Sequence, residues 1–136
     1  MKYAFAFCAL FLSYSGYTQF YVGDTKDAAK AALIKAKIKF KEARLTDTTY
    51  RFSWMDQDKY EIILVFNANN TVIQETIIPE KDEFVNGVVK WFNRDLVVVS
   101  DTEWKHYANG TIYKVQLSYI LNEPLFTISP GAKPNG

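Results

Sequence analysis

The sequence predicts an α+β fold: two αβββ units forming one antiparallel sheet, with both helices packed on one face. Three observations predict it. Apolar residues recur at helical spacing in two stretches, about 25–43 and 83–94. Each stretch is followed by runs that alternate apolar with polar residues, as half-buried strands do. The order of these runs repeats between the two halves of the chain. Two such units bury their apolar surfaces most simply as two layers, helices over sheet.

The chain opens on a leader. Lys2 supplies a positive start, Tyr3 to Leu12 is almost wholly apolar, and Ser13 to Gln19 is small and polar. This is the pattern of a secretory signal peptide, with an apolar run too short to span a bilayer. Cleavage after Ser15, Thr18 or Gln19 is compatible with it. The expected organisation is therefore a signal peptide over 1–19, one α+β domain over 20–130 with pseudo-repeats at about 21–79 and 80–130, and a flexible tail over 131–136. The expected destination is the periplasm or the exterior. Cys8, the sole cysteine, lies in the leader. The mature chain is thus expected to have no disulfide, no thiolate ligand and no cysteine nucleophile.

Loss of Lys2 leaves 15 basic and 15 acidic residues. A neutral chain has no global field to attract nucleic acid or an anionic membrane, so neither is an expected partner. No stable membrane span is expected after cleavage. A local basic bias remains: Lys26, Lys30, Lys35, Lys37, Lys39, Lys41 and Arg44 crowd the first mature segment. A solvated helix face explains most of it.

In the first unit, Asp24 or Thr25 is placed to cap a helix. Ala29, Leu33, Ala36, Phe40 and Ala43 then form its apolar stripe, although Lys37 to Lys41 also alternates like a strand. Tyr50, Phe52 and Trp54 alternate with polar residues. Asp56-Gln57-Asp58 is a turn, Tyr60 to Phe66 a strand, Asn67 to Asn70 a second turn, and Thr71 to Ile78 a third strand closed by Pro79. In the second unit, Asp82 is placed to cap a helix bearing Phe84, Val88 and Trp91 on one face, with Gly87 permitting close approach to the sheet. Leu96 to Val99 and Glu103 to Tyr107 read as extended. Asn109-Gly110 marks a tight hairpin, and Thr111 to Ile120 a long strand with Tyr113, Val115, Leu117 and Tyr119 on one face. Asn122-Glu123-Pro124 is the expected turn into a last strand, Leu125 to Ile128.

Residues as well as order repeat. Asp47-Thr48-x-Tyr50-Arg51-Phe52 resembles Asp101-Thr102-x-Trp104-Lys105-His106, and Tyr60-x-Ile62-x-Leu64-x-Phe66 resembles Tyr113-x-Val115-x-Leu117-x-Tyr119. Tyr21-Val22-Gly23-Asp24-Thr25 ahead of a helix and three strands resembles the start of SmpA-type and β-lactamase-inhibitor-protein-like units, with Tyr60 to Phe66, Asn67 and Val72 matching the second and third strands. The resemblance spans about 21–130 and implies a small exported module. The second half departs from it in lacking the glycine-led helix start, and the inhibitor family's cysteines are absent.

Groups for catalysis are scarce. His106 is the sole histidine, too few for a zinc site, and no G-x-S-x-G elbow accompanies it. Asp56-Gln57-Asp58 lacks the glycine and distant glutamate of a calcium loop. No metal and no cofactor are expected. The expected function is an exported, non-enzymatic binding or inhibitor-like module acting through an aromatic sheet face, with Tyr50, Trp104, His106 and Tyr107 as contact residues for a protein or glycan. Two other readings stand beside it: a small periplasmic hydrolase using His106, and a structural or assembly factor of the cell envelope.

Overall fold

The structure, a computed structural model, describes residues 20–108 and 110–131. The expected leader, residues 132–136 of the expected tail, and Asn109 of the expected hairpin turn lie outside the described residues.

The described chain begins as a strap laid along the start of a central strand. The Gly23 N–H donates to the Val72 carbonyl at 2.9 Å, and the Val72 N–H returns to the Asp24 carbonyl at 2.9 Å. Gly23 has φ +88°, and a Cβ there would lie 2.5 Å from the Tyr113 hydroxyl. Glycine is therefore required twice over, by conformation and by space.

Helix α1 (Lys26–Lys35) starts as expected: the Thr25 hydroxyl accepts from the Ala28 N–H at 3.1 Å. It ends eight residues before the expected limit at 43. Lys37 takes φ 59°, its N–H donates to Ile34, and the Ile38 N–H donates to Leu33. This is a Schellman stop, with lysine where glycine is usual and Ile38 packed on the core. The chain then follows the two-residue alternation of this segment rather than the helical one and forms β1 (Lys41–Arg44).

Strands β2 (Tyr50–Asp56), β3 (Tyr60–Phe66) and β4 (Val72–Pro79) follow the predicted alternation. A 3₁₀ turn (Asp82–Phe84) leads into α2 (Val85–Asp95). Asp82 does not cap it: Lys81 holds the N-cap position of the 3₁₀ turn, and no side chain bonds there. The remaining strands are β5 (Val97–Ser100), β6 (Glu103–Ala108), β7 (Thr111–Ile120) and β8 (Glu123–Pro130). The last turn falls earlier than expected. Leu121 and Asn122 form a two-residue loop at φ 52° and 66°, and Pro124 already pairs with Tyr119 inside β8.

The chain is thus α+β, and among the described residues each half supplies a helix and four strands. Two αβββ units were expected, with β1 of the first half read as helix, while the four extended runs read in the second half match its four strands. All eight strands join one antiparallel sheet in the order β1-β2-β3-β4-β8-β7-β6-β5. The last strands of the two halves meet at its centre, where Glu75, Thr76 and Ile77 pair with Ile128, Thr127 and Phe126. One row of directly paired residues crosses the sheet: Phe52, Leu64, Glu75, Ile128, Val115 and Trp104. All six are fully buried, and five are apolar. From α2, the Phe92 ring meets Trp104 edge-on at 5.3 Å and Phe126 at 5.4 Å. From α1, Ala29 and Leu33 are fully buried, and the Lys26 ammonium sits 3.7 Å from the centre of the Tyr50 ring.

Gly23 and Gly87 respond oppositely to a methyl group. Gly23→Ala is expected to cost about 1–3 kcal/mol in urea unfolding, through positive φ and the clash with Tyr113. A Cβ at Gly87 has room, 3.5 Å from the Tyr60 hydroxyl, so this glycine is not needed for close approach. Gly87→Ala is expected to stabilise by up to about 1 kcal/mol through helix propensity.

Candidate functional site

The four sequence-selected residues do not converge. Trp104 is wholly buried in the central row, its indole N–H donating to Asn93 Oδ1 at 2.8 Å. Its ring is core, so it offers no surface to a partner. His106, two residues along β6, is half-buried, with its ring 4.8 Å from Phe20 and 6.0 Å from Tyr113. Burial lowers its pKa. Tyr50 lies in the other half of the sheet, half-buried beneath Lys26. Of the four, Tyr107 alone is exposed, at 57%, on the opposite side of β6.

The basic bias of the first segment is partly spent within the molecule. Lys26 and Lys30 both pair with Glu42 of β1, at 3.2 and 3.8 Å. These are exposed pairs of modest worth, but they hold α1 against the sheet edge. Among the described residues no group of three or more His, Cys, Asp or Glu side chains is placed to hold a metal, and no helix is long and apolar enough to cross a membrane.

Two features lay outside the sequence reading. The first is the β7–β8 hairpin. Leu121 at its tip is 93% exposed, and Tyr119 and Ile120 beside it are 62% and 58% exposed. Leucine at positive φ costs roughly 1–2 kcal/mol. Here an unbranched polar residue would do the turn's work at less strain, so the local conformation gains nothing from leucine.

The second is Glu75. It is fully buried at the centre of the sheet, among the apolar residues of the central row. Its Oε1 accepts from the Tyr21 N–H at 2.8 Å, and its Oε2 has no hydrogen-bond partner. Burial pushes the carboxyl up to about 8, against the pull of the Tyr21 N–H. Burial likewise raises Tyr21 and Asp24 of the strap and Asp56 at the end of β2. Glu75 faces inward because of a bulge. The β3–β4 register shifts at Val65/Phe66, so Ile73 and Gln74 are both exposed and the phase of β4 inverts after them.

No protein-family model, curated protein or solved structure matches this chain.

Two measurements follow from these placements. Trp104→Ala is expected to cost about 3–5 kcal/mol of stability, whereas Tyr107→Ala should stay within about 0.5 kcal/mol. In the full-length chain, folded Glu75 keeps a proton that the unfolded chain releases above about 4.5. Stability should therefore fall as pH rises from about 5 to 8, by up to roughly 1.4 kcal/mol per pH unit, and level off above. Denaturant titrations across that range should lose this slope in Glu75→Gln.

Proposed function

We propose that the chain is an exported, non-enzymatic binding module whose contact surface is the β7–β8 hairpin tip, with Tyr107 on the same half of the sheet. The observation that carries this is Leu121, held at φ 52° while 93% exposed, directly after two further exposed residues with large apolar side chains, Tyr119 and Ile120. A strained conformation that exposes rather than buries its side chain is the mark of a position kept for contact. An apolar trio favours a protein partner over a glycan, since sugars need polar groups beside the rings. Export to the periplasm or the exterior rests on the pattern of residues 1–19.

The scaffold in this reading is a duplicated helix-plus-strands unit with both helices over one face. The mirror order of the strands supports the duplication. The single-face packing is supported by the central row: Lys26 of α1 lies over Phe52 at one end, and Phe92 of α2 meets Trp104 at the other. The likeness of Tyr21-Val22-Gly23-Asp24-Thr25 to SmpA-type and β-lactamase-inhibitor-protein-like units belongs to the same proposal.

A photo-crosslinking side chain placed at Leu121 in the exported protein should give a discrete adduct in its own envelope, while one at exposed Ile34 on α1 should not. Absence of any adduct at Leu121 removes this reading. Leu121→Asn should fold with stability raised by about 0.5–1 kcal/mol, because asparagine accepts the left-handed turn, and yet abolish the contact.

A further inference from the structure

We propose that removal of the leader cuts the Gln19–Phe20 bond and that the resulting α-ammonium of Phe20 pairs with Oε2 of Glu75. The step is a hydrolysis. Water adds across the peptide bond, Gln19 leaves as the carboxylate end of the leader, and the Phe20 nitrogen takes up protons to become an ammonium. This rests on the export reading above, which supplies the signal peptidase.

The first support is an acceptor in want of a donor. Glu75 is completely buried, and its Oε2 has no partner. Buried polar atoms in folded proteins are nearly always bonded, so an unpaired buried carboxyl oxygen is an exception. Among the described residues no basic side chain fills the gap. The ion pairs of the described residues engage Lys26, Lys30, Lys81, Arg94 and Lys114, none of them with Glu75.

The second support is distance along the chain. The Tyr21 nitrogen already lies 2.8 Å from Oε1. Bond lengths put the Phe20 nitrogen roughly 3–4 Å from the Tyr21 nitrogen. Phe20 therefore carries the backbone nitrogen that precedes, along the strap, the one already bonded to this carboxylate. The third support is anchorage. The Phe20 ring stands 5.3 Å from Trp91, 5.8 Å from Phe92 and 4.8 Å from His106, so its position is set by packing. A terminus at Gln19 or Gly16 would set the charge one or more residues further away. The fold thus selects one of the three cleavage positions that the leader pattern allows.

The full chain should be exported from a Gram-negative host and its intact mass measured. A chain beginning at Phe20 is expected. A start at Gln19 or Gly16 overturns the inference and leaves export standing, whereas an intact Met1 overturns both. The carboxyl ¹³C resonance of Glu75 is then followed against pH in this mature form and in one with a single glycine ahead of Phe20. The mature form should titrate at least about two units lower. It should also melt roughly 4 °C or more higher at pH 7. In Glu75→Gln the melting difference between the two forms should vanish. Equal titration of both forms, or a melting difference that survives Glu75→Gln, overturns the pairing.

Discussion

The bond from the Tyr21 N–H to Glu75 Oε1 ties the start of the described chain to the middle of the sheet. Much of the architecture depends on it. Glu75 stands on β4, the strand through which the first half meets β8 of the second. A carboxyl at that place, with apolar neighbours in every direction along its row, is tolerable only if something polar is brought to it. The strap does so. It crosses the core, plants Phe20 against α2 and Tyr21 against Trp54 of β2, and then turns at Gly23 to run beside Val72. One polar contact thereby fixes the order in which aromatic surfaces from both halves are laid down.

Much of this was legible in the residues, and the exceptions have physical causes. Alternation located β2, β3 and β7 because one side of each faces a core, and a period of two cannot be satisfied otherwise. The length of α1 was not legible. Ala36, Phe40 and Ala43 continue the helical stripe, but Lys37 enters the left-handed region without the glycine that would announce it. Glu75 was hidden for a different reason. Reading inward from Val72 by twos puts Gln74 and Thr76 in the core and Glu75 outside. The bulge adds one residue and reverses the assignment, and a bulge without glycine or proline leaves no mark in the sequence. For Trp104 the alternation with Tyr107 was correct, but nothing local says which of the two sides is covered.

The aromatic content is largely explained by the core. Phe52, Phe66, Phe92, Trp104 and Phe126 are all fully buried. Successive rings meet edge-on or tilted along a path from Phe40 through Phe52 to Phe66, and from Phe20 through Phe92 to Phe126. A small domain without cysteines beyond Cys8 gains from such rings, each of which buries a large area for two side-chain torsions. Aromatic richness is then a statement about stability, and it cannot by itself identify a contact surface.

What identifies one is a departure from the rules the rest of the chain obeys. Elsewhere the turns carry polar residues at positive φ: Gln57 and Asp58, and Asn70. Each suits its place, because short polar side chains tolerate the left-handed region and solvent together. Leu121 suits neither condition, and neighbouring Ile120 and Tyr119 extend its apolar surface along the end of β7. Local propensity, hydration and packing would all prefer another residue there. A residue opposed by its local intramolecular terms is the ground on which the tip of β7 and β8 is proposed as the contact surface.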